Sequence, residues 1–254
     1  MSYADAGGVH TWYAEHGTGD PLLLLHGAFT DASEFGANIP ALAERFHVFT
    51  PERRGHGHSP DVPGPISYDL MAADTVAFLE ELEIGRAQLV GHSDGANVAL
   101  LVALSRPDLV GRLVLISGNF HHDGLVAGLD VNDLAANDYL ADAYGQVSPD
   151  GRGHFPVIAD KIFRMATTEP TLNESDLAKV AARTLVMAGD DDMISAEHTL
   201  RLYRGIPDSE LAIVPGTSHA LIIEKPDLCN RIILDFLTKD PAPTFMPVRR
   251  ASRG

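Results

Sequence analysis

The residues Gly91-His92-Ser93-Asp94-Gly95 spell G-x-S-x-G between an apolar run of strand length (87–90) and a helix-period segment (95–104). A serine on so sharp a strand-to-helix turn is held in strained backbone, and glycine on either side lets strand and helix approach closely. Its hydroxyl then projects beyond the strand end, beside the first amides of the helix, which stabilise a developing oxyanion. That setting serves attack of a serine oxygen on an acyl carbonyl. A serine hydroxyl hardly ionises near neutral pH, so it needs a base. His219 follows the last strand-like run, within Pro215-Gly216-Thr217-Ser218-His219, and heads a loop able to fold over the serine. The base in turn needs a carboxylate that fixes its tautomer. Asp190, Asp191 and Asp192 stand together after the run 184–188, and residue chemistry alone leaves the choice among them open.

The elements that must position these groups alternate along the chain. Apolar runs of buried-strand length lie at 22–25, 48–50, 87–90, 113–116, 184–188 and 211–214. Helix-period segments lie at 67–82, 95–104, 197–204 and 226–237; in the first, Met71, Phe78, Leu79 and Leu82 share a face opposite Asp69 and Glu80. Strands alternating with helices imply right-handed βαβ units. Residues 2–16, with Gly7-Gly8 as the turn, read as an antiparallel starter hairpin. The expected fold class is α/β, a doubly wound, mainly parallel sheet of about eight strands with helices on both faces. From 118 to 183 no strand-like run appears, and helical patterns near 132–144, 154–165 and 173–180 predict an inserted helical cap. The core is then 1–117 with 184–254, and the cap is 118–183. The tail, 239–254, holds three prolines and three arginines without apolar periodicity and needs no function.

Composition narrows the partners. In 254 residues, 19 Lys and Arg face 35 Asp and Glu, a formal charge of −16 that repels phosphate backbones and anionic lipid. Nucleic-acid and membrane partners are therefore not expected; a small-molecule substrate is. The opening MSYADAGG lacks the positive and apolar regions of a secretory signal. The longest apolar run, 98–104, is far short of the ~20 residues that span a bilayer. A cytoplasmic protein is the expectation. The single cysteine, Cys229, makes neither an internal disulfide nor a thiolate cage. The pairs His56/His58 and His121/His122 lack metal-site spacing, so neither metal nor cofactor is expected.

With three further motifs the chain resembles the α/β-hydrolase superfamily over nearly its whole length, as a Ser-His-Asp esterase-like member with a short helical cap. Leu25-His26-Gly27-Ala28-Phe29 resembles the family's His-Gly loop. Arg54-Gly55-His56-Gly57-His58-Ser59 resembles its R-G-x-G-x-S turn, with Glu52 where Asp is usual. Gly189-Asp190-Asp191-Asp192 resembles the acid loop, and the segment ending at His219 the terminal histidine loop. The order nucleophile, acid, histidine is the family's. The resemblance implies Ser93 as nucleophile, His219 as base and Asp192, three residues after the glycine, as orienting acid. Ile116-Ser117-Gly118-Asn119 offers no carboxylate at the other usual position. It also implies an oxyanion hole of the Ala28 and Asp94 amides, with Phe29 the neighbour if the loop register differs. His26 is implied to be structural, and His92 an elbow neighbour.

The implied activity is cofactor-free hydrolysis of a carboxylic ester through an acyl-enzyme. Amide, lactone or C–C bond hydrolysis and perhydrolysis use the same groups, and a small-molecule receptor is the reading from another class. Phe120, Tyr139, Tyr144, Phe155, Phe163 and Met165 are candidates to line a pocket under the cap, although packing of cap on core is expected for more than half. An unpaired Asp94 carboxylate ~6 Å from an oxyanion would oppose it by roughly 3 kcal/mol at an effective dielectric near 20. It is therefore expected to turn toward the free amides at the helix start. The alternative is that it faces the pocket and pairs with an arginine or a substrate ammonium.

Overall fold

A computed structural model describes residues 2–126, 137–241 and 244–248. The chain opens with a hairpin of β1 (Ser2–Ala6) and β2 (Val9–His16), turned at Gly7 and Gly8. β3 (Asp20–Leu25), β4 (Phe46–Pro51), β5 (Ala87–His92), β6 (Val110–Ile116), β7 (Arg183–Asp191) and β8 (Ser209–Ser218) complete one sheet. The sheet has eight strands in the order β1-β2-β4-β3-β5-β6-β7-β8. β2 pairs antiparallel with β1 and β4, and β3 to β8 run parallel. This is the α/β architecture read from the alternation of apolar runs and helical periods.

The described helices are α1 (Ile39–Ala43), α2 (Tyr68–Glu81), α3 (Asp94–Ser105), α4 (Asp138–Val147), α5 (Phe155–Thr168), α6 (Glu174–Leu177), α7 (Ala196–Gly205), α8 (Leu221–Glu224) and α9 (Pro226–Thr238). They cover both faces of the sheet, which explains why its strands read as unbroken apolar runs. Leu23, Leu25, Leu89 and Leu113 pack with α2 and α3 residues on one face. Leu22, Leu24, Val48 and Val90 pack with α1, α8 and α9 residues on the other. Local chemistry sets the helix ends: the Ser67 hydroxyl accepts from the Leu70 amide at the start of α2, and Glu83, at φ 53°, turns the chain away just past it.

β3 has β4 on one side and β5 on the other, so the chain reverses its winding there. In open α/β sheets, ligands bind in the crevice outside the strand ends at such a switch point. Gly27 and Ser93 follow β3 and β5, directly at this crevice.

Between β6 and β7 the described chain holds α4, α5 and α6 and no named strand. Of the helical pattern expected near 132–144, residues 132–136 lie outside the described residues; the described helix starts after Asn137, whose side chain accepts from the Tyr139 amide. The third pattern, 173–180, shortens to α6. Asn173 and Asp176 close a capping box at its start, and the Lys179 and Val180 amides already take partners three residues back. Polar contacts fasten this segment to the core. Asp61 accepts from Lys161 Nζ at 2.7 and 2.8 Å and lies 2.8 Å from His154 Nε2, and Glu169 accepts from the Tyr68 amide at 2.9 Å. Of the tail, 242–243 and 249–254 lie outside the described residues. Among the described residues no helix is long and apolar enough to cross a membrane.

Candidate active site

β5 delivers Ser93 and α3 begins at the next residue. Ser93 stands at φ 53° and ψ −121°, outside the regions open to most L-residues. The turn is over-determined by two close approaches. A Cβ on Gly95 would collide with the Leu25 carbonyl, and one on Gly91 with the Gly95 carbonyl. The Ser93 amide donates to the Ile116 carbonyl at 2.8 Å, tying the turn to β6.

Two loops meet the serine. His219, just after β8, places Nε2 2.9 Å from Ser93 Oγ and Nδ1 2.7 Å from Asp192 Oδ1. Asp192 Oδ1 also accepts from the Ile194 amide at 3.1 Å, and Oδ2 accepts from Ser117 Oγ at 2.5 Å and the Gly189 amide at 3.3 Å. Burial opposes ionisation of Asp192, but the His219 contact, Ser117 and the Ile194 amide outweigh it and hold the carboxyl below its usual range. Asp190 instead accepts from the Thr217 amide at 3.0 Å, which pins the histidine loop, and Asp191 is exposed. The geometry thus brings Asp192, not its two neighbours, to the histidine. Ser117, which stands in no motif, supports the acid through its hydroxyl, and its position at a strand end is the signal for it in the sequence.

The Ala28 amide has no protein acceptor among the described residues, and the Asp94 amide, first in α3, has none within its helix. Behind Ala28 the loop is held rigidly: Arg53 donates to the His26 and Gly27 carbonyls, and His26 Nδ1 lies 2.8 Å from the Gly27 oxygen. Burial, then the Arg53 charge, pushes His26 well below the usual histidine range, so its ring serves as a neutral strut. Above these groups lies a cavity of about 430 Å³, lined by Ala28, Phe29, Ser93, His219 and, from the segment after β6, Leu125, Ile162 and Phe163. Of the six aromatic and methionine candidates only Phe163 reaches it. Tyr139, Tyr144 and Phe155 line a second cavity of about 450 Å³ beside it, and Phe120 and Met165 are packed in the core.

A profile of the Alpha/beta hydrolase family matches residues 22–232. The chain belongs to the alpha/beta hydrolase family. This hydrolase is 29% identical to a protein of Caulobacter segnis provisionally named carbamate hydrolase RutD, over 90% of this chain and 94% of that one. It is 24% identical to a provisionally named esterase/lipase of Haemophilus influenzae, over 86% of this chain and 83% of that one. Among solved structures it is similar to Est816, described as an N-acyl homoserine lactone degrading enzyme. The TM-score is 0.74 at 26% identity, with 92% of this chain and 99% of that chain covered.

In this hydrolase Asp94 departs from the expectation that it caps α3. The residue is 6% exposed and lines the Ser93 cavity. Oδ1 accepts from the Tyr68 hydroxyl at 2.7 Å, while Oδ2 is buried without a hydrogen-bond partner. Burial pushes the Asp94 carboxyl up, against the opposing pull of the Arg53 charge and the Tyr68 bond. An oxyanion formed at Ser93 would meet less opposition from a carboxyl that burial makes easier to protonate. α2 supplies Tyr68, and nothing in the sequence spacing links positions 68 and 94.

Proposed function

We propose that this hydrolase cleaves a small carboxylic ester through an acyl-enzyme on Ser93. The observation that carries the reading is the continuous hydrogen-bonded chain Ser93 Oγ, His219, Asp192, at 2.9 and 2.7 Å, opening into a cavity of about 430 Å³. His219 Nε2 takes the Ser93 proton as Oγ bonds to the acyl carbon, and the carbonyl oxygen becomes an oxyanion facing the Ala28 and Asp94 amides. The imidazolium, stabilised by the Asp192 carboxylate, then protonates the leaving alcohol. Water then gives a proton to His219 as its oxygen bonds to the acyl carbon; the bond to Ser93 Oγ breaks, His219 returns the proton to Oγ, and the acid leaves. The mostly apolar lining, with Leu125, Ile162 and Phe163 above the serine, suits an apolar acyl or alcohol group. A lactone is an internal ester attacked in the same way, so lactones belong in the substrate panel, and the likeness to Est816 supports including them. The carbamate named for the Caulobacter segnis relative belongs there as well, since it presents the same carbonyl.

The test is a stopped-flow burst with p-nitrophenyl acetate. A stoichiometric burst of p-nitrophenol, abolished in Ser93→Ala, is expected. Tight binding of ester analogues with no turnover in either form would favour a receptor instead.

A further inference from the structure

The ring next to the nucleophile is as closely held as the base. His92 and Glu34 side chains are 5% and 4% exposed, with His92 Nδ1 3.1 Å from Glu34 Oε1. His92 Nε2 lies 2.8 Å from the His219 carbonyl oxygen, and the second Glu34 oxygen accepts from the Gly27 amide at 2.7 Å. A carbonyl oxygen only accepts, so Nε2 carries a hydrogen. Nδ1 then faces a carboxyl oxygen, and that contact is a hydrogen bond only with a second proton between them. The pair therefore shares one proton between Nδ1 and the carboxyl. Burial alone would discharge His92, but the Glu34 charge and hydrogen bond push it up; the same partnership holds Glu34 down against its own burial.

We infer that Glu34 and His92 are positioning residues, a buried one-proton clamp that ties the oxyanion loop at Gly27 to the backbone of His219. The inference rests on the acyl-enzyme reading above. Its force lies in the topology. Gly27 follows β3 and His219 follows β8, with β5, β6 and β7 between them, so no ladder joins the two loops. The chain Gly27 amide, Glu34, His92, His219 carbonyl crosses that gap at the level of the reaction. Oxyanion donors and base must both sit within a fraction of an ångström of one tetrahedral carbon, and a misplacement of about 1 Å costs about 100-fold in rate.

The shared proton gives the clamp a chemical signature. Losing it in alkali leaves the Nδ1 lone pair against a carboxylate, and the contact turns repulsive. The charged and titratable groups facing the pair are His26 and Arg53 on the oxyanion side, Asp192 and His219 on the base side, and Asp94 beyond the serine. In Glu34→Gln the amide oxygen accepts from Gly27 and the amide nitrogen donates to Nδ1 of a neutral His92. Both links persist without the proton.

The experiment measures p-nitrophenyl acetate turnover per burst-titrated site for the parent, Glu34→Ala, His92→Ala, the double variant, Glu34→Gln and Ser93→Ala, from pH 6.5 to 10. Each single alanine variant is expected to lose about 10–100-fold in kcat, with KM within about threefold. The double variant should be no slower than the slower single, because either change opens the same clamp. Glu34→Gln should recover kcat to within about fivefold of the parent at neutral pH, while lacking the parent's reversible alkaline fall. Should the alanine variants fail to fold, this alkaline limb decides; the same fall in Glu34→Gln overturns the clamp. So do single variants within twofold of the parent, or Glu34→Gln as slow as Glu34→Ala. A dead Ser93→Ala beside unaffected Glu34 variants refutes the clamp alone, whereas a burst that survives in Ser93→Ala refutes the acyl-enzyme and the clamp with it.

Discussion

Asp192→Asn keeps the shape of the acid and removes its charge. In the proposed acyl transfer His219 becomes an imidazolium beside Asp192, with Nδ1 2.7 Å from Oδ1. At a charge separation near 4 Å and an effective dielectric of 20 the lost attraction is about 4 kcal/mol. The Asp192 side chain is 2% exposed, so solvent screens little of it. The amide brings a second loss. Ser117 and Gly189 donate on the Oδ2 side and the Ile194 amide on the Oδ1 side; with the asparagine oxygen kept by the first two, its NH₂ turns toward His219 and leaves the Ile194 amide without its acceptor. His219 must then accept at Nδ1 and carry its hydrogen on Nε2, the wrong tautomer for a base, at a further cost of about 1 kcal/mol. Together these amount to about 5 kcal/mol, or nearly 10⁴ in kcat at 1.36 kcal/mol per decade. That matches the scale of the aspartate-to-asparagine loss in serine proteases. Single-turnover stopped flow with p-nitrophenyl acetate at pH 7.5 measures it, with Asp191→Asn expected within about twofold of the parent and Asp190→Asn within about tenfold. If Asp192→Asn stays within tenfold of the parent, or if Asp191→Asn is equally damaging, the acid assignment fails.

Gly95→Ala drives a methyl into the Leu25 carbonyl, an obstruction made of backbone, and is expected to cost at least about 3 kcal/mol in urea unfolding. Tyr68→Phe removes the one hydrogen bond of the buried Asp94 carboxyl and should cost about 1–3 kcal/mol in the same assay. Phe163→Ala, at the roof of the Ser93 cavity, should move the p-nitrophenyl ester optimum to longer chains, whereas Phe120→Ala, fully buried, should cost about 3–5 kcal/mol and leave the ranking unchanged. Burial holds His198 down at about 4, and its Nε2 accepts from the Phe120 amide. A folded pKa below the unfolded value gives stability that is present above pH ~6.5 and lost as pH falls toward the folded value. Tm should therefore drop between pH 6.5 and 4, and His198→Gln should flatten that slope.

Periodicity made the sheet legible because strands buried on both faces carry unbroken apolar runs such as Leu22 to Leu25. The elbow was legible because glycine is required where backbone meets backbone, and Gly91 and Gly95 both stand at such contacts. Pairs set by tertiary packing left no trace in spacing. Tyr68 meets Asp94 because α2 lies against α3, and Glu34 reaches His92 from a short turn (Ala32–Phe35) whose sequence announces no chemistry. The Asp94 expectation failed for that reason. A free helix amide is a local partner visible in sequence, whereas a tyrosine hydroxyl from the neighbouring helix is not.

His219 arrives on β8, at the edge of the sheet, while Ser93 stands near its centre. In the proposed reaction nucleophile and base thus hang on different parts of the sheet, one near its centre and one at its edge. A molecule with β3, β5 and β6 in place already displays the elbow, yet its serine has no proton acceptor until β8 docks on β7. Acylation by a serine-directed probe therefore counts molecules whose sheet has closed at β8, and it should fall during gentle unfolding before the far-UV signal of the central strands does.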